Sequence, residues 1–331
     1  MKFPFVSVLI LGLLFAGSAN AQTPGYVSPR DFNPSACGAG STDDTATVQA
    51  AINATPDGGT LFFGNNVVCI IKGSGTAALT RTIPINMLGT GFNSGLVFDA
   101  SAPSTRTMLF IQPLPSTPFT IGYNFSNMTI AAQGASGDLV QFSSTSSAVT
   151  TLESINFDNV LMSIAGGLQK YAVRFSNLPG NANGGFVKVS FRNGIISGGV
   201  RLEYVGDTIL FDNMIITGEN IAISGSQVPG AGNLVVSRSN ITGRGGALQL
   251  DCAVAPRITT SELEQQFPNT STGRIVYFSG SLCAIDNPIV ETTQIQSTTV
   301  GGVAVLIEFG PNITNPMIWA IALARRPRTA A

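Results

Sequence analysis

Histidine is absent from this chain of 331 residues, and charge is scarce: Asp, Glu, Lys and Arg make up 11% of it, with 17 basic residues set against 18 acidic ones. Without imidazole or a CxxC pair, the four cysteines have nothing to complete a zinc site. Basic residues that are few, scattered and balanced by acids exclude the positive footprint of a nucleic-acid-binding protein. Long hydrophobic runs are missing as well. Val6 to Ala16 and Met317 to Ala324 both fall short of the roughly 20 residues that span a bilayer. Beyond the N-terminus no stretch sustains the apolar periodicity of a helix. What is plentiful is glycine, 37 residues, on a Ser/Thr/Asn-rich background, together with 44% hydrophobic and 8% aromatic residues. That is material for many turns around a substantial core.

The apolar residues are ordered in a repeat. Seven times an apolar residue is followed by two mostly polar ones and, near the end of the copy, by another apolar residue. The copies begin at Phe125, Phe157, Phe191, Phe211, Val236, Ile258 and Val290, spaced 32, 34, 20, 25, 22 and 32 residues apart. Behind each comes a second β-rich run, beginning at Leu139, Ala172, Arg201, Ile221, Ala247, Ile275 and Val303. Two in-phase strand signals per unit describe the coils of a solenoid, because one coil cannot bury its own apolar face and a stack can. Successive coils pair as parallel strands about 4.8 Å apart, so like residues stack on like. This predicts an internal column of Phe125, Phe157, Phe191 and Phe211, continued by Val236, Ile258 and Val290. Asn127, Asn159, Asn193 and Asn213, two places after each Phe, are expected to turn inward at a bend and ladder their amides. Parallel crossovers are right-handed by strong default, and the fold expected is an all-β, single-stranded right-handed parallel β-helix.

The N-terminus is built for export. Lys2 opens a short basic region, the apolar run follows, and Ala19-Asn20-Ala21 before Gln22 has the small-x-small form of a cleavage site. Residues 1–21 are read as a signal peptide and 22–331 as the mature chain, secreted, periplasmic or at the cell surface. Cys37, Cys69, Cys252 and Cys283 are an even set in an exported protein, and four cysteines allow three pairings. Cys252 and Cys283 follow strands of adjacent coils at comparable points, which favours Cys252–Cys283 and leaves Cys37–Cys69. Each closure is worth roughly 3 to 4 kcal/mol in the chain-entropy model.

Ahead of the coils, Asp31-Phe32, a turn through Cys37 to Ser41, and Thr42-Asp43-Asp44-Thr45 lead into Val48 to Asn53, then Asp57-Gly58-Gly59-Thr60 and Leu61-Phe62-Phe63. Thr42 is placed to cap a short helix from Thr45 to Asn53, with Asp43 and Asp44 at its positive end. This segment resembles the opening motif of the pectate-lyase-like right-handed β-helix superfamily, which includes pectate lyases, polygalacturonases, rhamnogalacturonase-like proteins, glucanases and phage tailspikes. The resemblance implies a pectin-lyase-like solenoid with a capping helix: an N-terminal cap over 22–66, regular coils over about 120–310 and a tail from 311 to 331. It implies a structural role for Asp43 and Asp44, and it identifies a fold rather than a reaction.

The family's catalytic signatures are missing. Polygalacturonases of this fold carry N-T-D, a D-D pair within the coils, G-H-G and R-I-K; a chain without histidine has no G-H-G, and Arg257-Ile258-Thr259 lacks the lysine. Pectate lyases instead pair calcium-binding carboxylates with an arginine base, a chemistry that needs no histidine. Two outward columns follow from the alternation of strands. Asp158, Arg192 and Asp212 form one, read either as a glycosidase-like acid pair around a guanidinium or as a charge-balanced surface ladder. The second is Arg174, Arg201 and Glu203, then Gln249, Asp251 and Tyr277. Arginines suit uronate carboxylates, amides suit hydroxyls and Tyr supports a sugar face. The candidate catalytic residues are therefore Arg174, Arg201 and Glu203, the substrate-binding ones Gln249 and Tyr277, and the calcium ligands Asp207 and Asp251. The same strip also reads as a solvated sheet face. Two functions are expected from this: an exported lyase or glycoside hydrolase acting on a cell-wall or extracellular acidic polysaccharide, or a non-catalytic glycan-binding or adhesion-like solenoid.

Overall fold

The computed structural model describes residues 25–103, 105–113, 119–134, 137–144, 151–164, 170–177, 185–227, 233–251, 255–265, 274–279, 288–297, 303–308, 317–318 and 321–325. Residues 1–21, read above as a signal peptide, and Cys252 and Cys283 lie outside them.

Each coil contributes to three parallel sheets, so the structure has one strand per coil more than the two signals legible in sequence. Sheet A is edged by the short strand Tyr26–Val27 and continues with Thr60–Phe62 and Ile85–Leu88, and sheet B begins with Val68–Ile71 and Gly95–Phe98. Sheet C begins with Ala77–Arg81 and Thr107–Ile111. The repeat that starts at Phe125 is a corner: its Phe ends a sheet A segment and its later apolar residue sits in sheet B. In the third and fourth coils that corner lies within the continuous strands Phe119–Ala132 and Thr151–Ser163. Among the described residues the strands pair in parallel and in coil order, as from 119–126 to 151–158 to Gly185–Arg192. Among the described residues the stack runs through nine complete coils, from Thr60 to Glu308, with two strands of a tenth at Met317–Ile318 and Ile321–Arg325. This is the expected right-handed parallel β-helix.

The interior is a set of like-on-like columns. Leu61, Met87, Phe125, Phe157, Phe191, Phe211, Val236, Ile258 and Val290 follow one another in register. The four Phe rings are buried and stacked with centroids 4.8, 4.9 and 4.8 Å apart and planes within 9° of parallel. That spacing is the strand repeat itself, so the sheet sets the stacking distance without strain. Phe142 and Phe175 stack at 5.1 Å on sheet C, and Phe142 meets the first column edge-on, at 89° to Phe125 and 90° to Phe157.

The asparagine corner is real but faces the other way. Asn127, Asn159, Asn193 and Asn213 have φ of 51° to 55°, the left-handed region that Asn tolerates better than other side-chain-bearing residues. Their amides ladder on the outer surface: Asn159 Nδ2 donates to Asn127 Oδ1 (2.8 Å) and Asn213 Nδ2 to Asn193 Oδ1 (2.9 Å), while Asn193 Nδ2 donates to Asp158 (2.8 Å). They cannot turn inward because the next inward positions are filled by Phe on one side and by Met128, Val160 or Met214 on the other. A second ladder escaped the sequence reading: Asn156 donates to Asn124 (2.8 Å), Asn124 to Asn86 (2.6 Å) and Ser190 Oγ to Asn156 (2.6 Å).

Helix α1 (Thr45–Ala54) closes the apolar end, burying Val48, Ala51 and Ile52. Its N-cap residue is Asp44, not Thr42. Asp44 is buried and accepts from the amides of Cys37 (3.0 Å) and Ile70 (2.9 Å), so it pins the cap to the first sheet B strand. Asp43 accepts from the Thr45 amide and hydroxyl; burial pushes its carboxyl up, and these bonds outweigh that and hold it below the usual range. At the other end, buried Arg81 donates to the carbonyls of Ile52, Thr55, Pro56, Ile83 and Pro84, satisfying acceptors at and just beyond the helix end. The Cys37–Cys69 disulfide, 32 residues apart in sequence, ties the segment before the helix to sheet B.

Candidate functional site

Sheet C carries the expected polar strip. Its outward column runs Phe110, Gln141, Arg174, Arg201, Ser224, Gln249 and Tyr277, rung by rung. Arg174 and Arg201 are thus adjacent, and Ser224, which the sequence reading passed over, separates Arg201 from Gln249. Glu203, Ser226 and Asp251 follow one another in the next outward register, so the two acids are two rungs apart, roughly 9 to 10 Å.

Both arginines are engaged. Arg201 Nε donates to Glu203 at 2.9 Å and its Nη1 reaches Ser224 Oγ at 3.4 Å. Arg174 Nη1 lies 3.6 Å from Asp138. Asp138 is buried and also accepts from the Tyr171 amide at 2.9 Å; burial pushes its carboxyl above the ordinary range despite Arg174 and Lys170 nearby. Asp138 was not foreseen. It sits just ahead of a strand, where no periodicity marks it.

The remaining proposed ligands do not converge. Asp207 stands exposed at a left-handed bulge (φ 59°) where the strand Val200–Asp212 passes from sheet C to sheet A, alongside Lys188. Lys188 itself pairs with Glu153. Among the described residues no group of three or more His, Cys, Asp or Glu side chains is arranged to hold a metal ion. Asp207 and Asp251 therefore belong to no such group.

The column Asp158, Arg192, Asp212 is in register as expected. Its acids are taken up in surface bonds: Asp158 accepts from Asn193, and Asp212 accepts from Ser237 Oγ (2.7 Å) and Arg238 Nε (3.0 Å). The Arg238 bond holds the Asp212 carboxyl below its usual range, which suits a charge-balanced ladder and not a proton donor.

A concave feature lies beside Arg201, at the corner between sheets B and C. The connections there are two residues long in three successive coils, Gly198-Gly199, Glu219-Asn220 and Arg244-Gly245, between much longer ones at 164–172 and 266–273. Short connections leave a notch. One cleft of about 80 Å³ is lined on the sheet C side by Lys170, Tyr171, Arg201, Asn220 and Ser224. A neighbouring cleft of about 140 Å³ is lined on the sheet B side by Ile164, Ser197, Thr217, Thr242 and Arg244. Gly198 and Glu219 border both, and Glu219 pairs with Arg244 at 3.2 Å. Sequence alternation found Arg201; Glu219 and Arg244 lie in two-residue connections, and Lys170 and Tyr171 at the end of the long connection 164–172, where no strand period marks them.

No family model matches the chain, and no curated protein matches it in sequence. Among solved structures, tailspike protein 3 of bacteriophage CBA120 superposes with a TM-score of 0.52 at 13% identity, covering 92% of this chain and 60% of the tailspike. This chain therefore spans about 60% of the tailspike's length. PfbA, a surface adhesin of Streptococcus pneumoniae, gives 0.49 at 12% identity over 91% of this chain and 81% of the adhesin. The A-module of the Azotobacter vinelandii mannuronan C-5 epimerase AlgE4 gives 0.40 at 14% identity over 91% and 97%. At such identities, what the tailspike likeness shows is the fold, a parallel β-helix.

Proposed function

We propose that this is an exported β-helix protein that binds an acidic extracellular or cell-wall polysaccharide, with the notch beside Arg201 as its site. The observation that carries this reading is the lining of the notch: Lys170 and Arg201 for a carboxylate, Tyr171 for a sugar face, Asn220 and Ser224 for hydroxyls. A cleft this small is far below the roughly 300–1,000 Å³ that encloses a drug-sized ligand, which suits an extended chain held at the surface. The pectate-lyase-like subtype is supported by the cap from Asp31 to Phe63. Export is supported by the N-terminal segment, and among the described residues no helix is long and apolar enough to cross a membrane.

Binding of the purified chain to pectate, rhamnogalacturonan, alginate and β-glucans, with and without calcium, tests the proposal. Acidic glycans are expected to bind and Lys170→Gln to weaken them about tenfold; no binding to any of the four overturns it. A second reading, lyase chemistry, is favoured by Arg201 and Tyr171 lining one cleft, a base for the proton beside a uronate carboxyl and a phenol for the leaving oxygen. It predicts unsaturated, ultraviolet-absorbing products that disappear in Tyr171→Phe.

A further inference from the structure

The two clefts differ in chemistry, and that difference bears on which glycan the notch accepts and how it lies. On the sheet C side, Lys170 enters no ion pair among the described residues and stands beside Arg201, an arrangement for an anionic group. On the sheet B side, the charges are Arg244 and Glu219, paired with each other at 3.2 Å. The other polar groups there are the hydroxyls of Ser197, Thr217 and Thr242, which form one outward column. Ile164 adds an apolar contact. Glu219 borders both clefts, but on the sheet B side the one cation, Arg244, is already paired with it, so a carboxylate there would find no unpaired cation, whereas a neutral sugar can exchange hydroxyl hydrogen bonds and rest a C–H face on Ile164.

The ridge between the clefts is kept low by glycine. Gly198 has φ +123°, and a Cβ there would fall 1.8 Å from Ile164 Cγ2; at Gly218 it would fall 2.6 Å from Ala222 Cα. Backbone packed this closely keeps side chains off positions 198 and 218, so Glu219 is the side chain that borders both lobes.

Resting on the reading of the notch as a glycan site, we infer that the site is bipartite. An acidic sugar sits against Lys170 and Arg201, its neutral neighbour sits against Ser197 and Thr217, and the glycan crosses the corner between sheets B and C instead of running along the solenoid axis. The preferred ligand class is then a polysaccharide alternating acidic and neutral sugars.

The test compares calorimetric binding of a homo-uronate probe, oligogalacturonate, with alternating probes of equal length, rhamnogalacturonan and hyaluronan oligosaccharides. At least one alternating probe is expected to bind ten times more tightly than the homo-uronate. The double variant Ser197→Ala, Thr217→Val removes hydroxyls from the sheet B outer face and should abolish that advantage while homo-uronate binding persists. An unfolding curve superimposable on that of the parent shows that the change is local. Equal affinity for both probe classes, or an advantage untouched by the double variant and lost in Gln249→Ala, overturns the crossing and places the glycan along the axis. Failure of every probe to bind overturns the glycan site itself, a distinct outcome from the loss of the bipartite preference.

Discussion

The third to sixth coils and the seventh to ninth turn the same corner between sheets A and B with different side chains. In the lower set the left-handed residue is asparagine and its own amide forms the ladder. In the upper set that residue is Arg238, Thr260 or Thr292, with φ of 49°, 48° and 46°. There the bonds pass largely to the next residue. The buried Ser239 hydroxyl accepts from the Met214 amide (3.1 Å) and Ser261 Oγ accepts from the Ser239 amide (3.2 Å), each donating to the carbonyl two residues back. Stacking therefore demands that the corner amides find acceptors, and leaves open which residue supplies them. The core shows the same latitude, with Phe in the lower coils and Val or Ile in the upper ones.

The largest expected effect breaks the lower stack. Phe191 lies between two parallel rings at 4.9 and 4.8 Å, and the coils above and below cannot close over a void without losing register. Phe191→Ala should cost about 3 to 5 kcal/mol, while Ile258→Val in the upper column should cost about 0.5 to 1.5 kcal/mol. Urea unfolding of the two variants measures the difference. A Phe191→Ala loss no larger than that of Ile258→Val would mean the rings are not a shared core.

Next in size is the upper hydroxyl ladder. Ser239→Ala strips the buried Met214 amide of its acceptor, and an unsatisfied buried donor costs about 1 to 3 kcal/mol. The lower corner answers differently, because its strain is conformational: Asn193→Ala should lose about 1 to 2 kcal/mol, and Asn193→Gly, which has no Cβ to strain, should recover most of it. If Gly at 193 were no better than Ala, the amide bond and not the backbone would be holding the corner.

The same contrast explains what sequence could show. The Phe column and its asparagines were legible because identical residues recur at one offset. The two earliest coils were not, since Leu61 and Met87 stand where Phe would be and their corners run through 63–67 and 89–94 instead of a single Asn. Sheet B was folded into the repeat because one left-handed residue divides it from sheet A, a break that leaves no gap in the sequence. At the candidate site, alternation put Arg174, Arg201, Gln249 and Tyr277 on one outward column. It was blind to Lys170, Tyr171 and Glu219, whose positions depend on connection length and not on strand period.

The smallest effect expected is electrostatic and separates the two corner designs by pH. Arg238, at an upper corner, reaches back to Asp212 at the end of the last sheet A strand that carries a Phe, and this bond lowers the Asp212 carboxyl. A carboxyl that is more acidic folded than unfolded adds stability above its unfolded pKa and loses that contribution as the pH falls through the folded value. Asp138 has the opposite sign: burial raises it, so the folded state holds its proton more tightly and its effect on stability declines as the pH rises from the unfolded to the folded value. Asp212→Asn should therefore flatten the acid side of the stability profile below about pH 4, and Asp138→Asn should flatten the segment above it. Because Arg238 is exposed and screened by salt, the Asp212 effect should shrink when ionic strength is raised, whereas that of buried Asp138 should persist. Denaturation midpoints followed from acid to neutral pH at two salt concentrations would show both. An Asp212 variant with an unchanged acid limb would mean that Arg238 holds its left-handed corner without the ion pair, as Thr260 and Thr292 do.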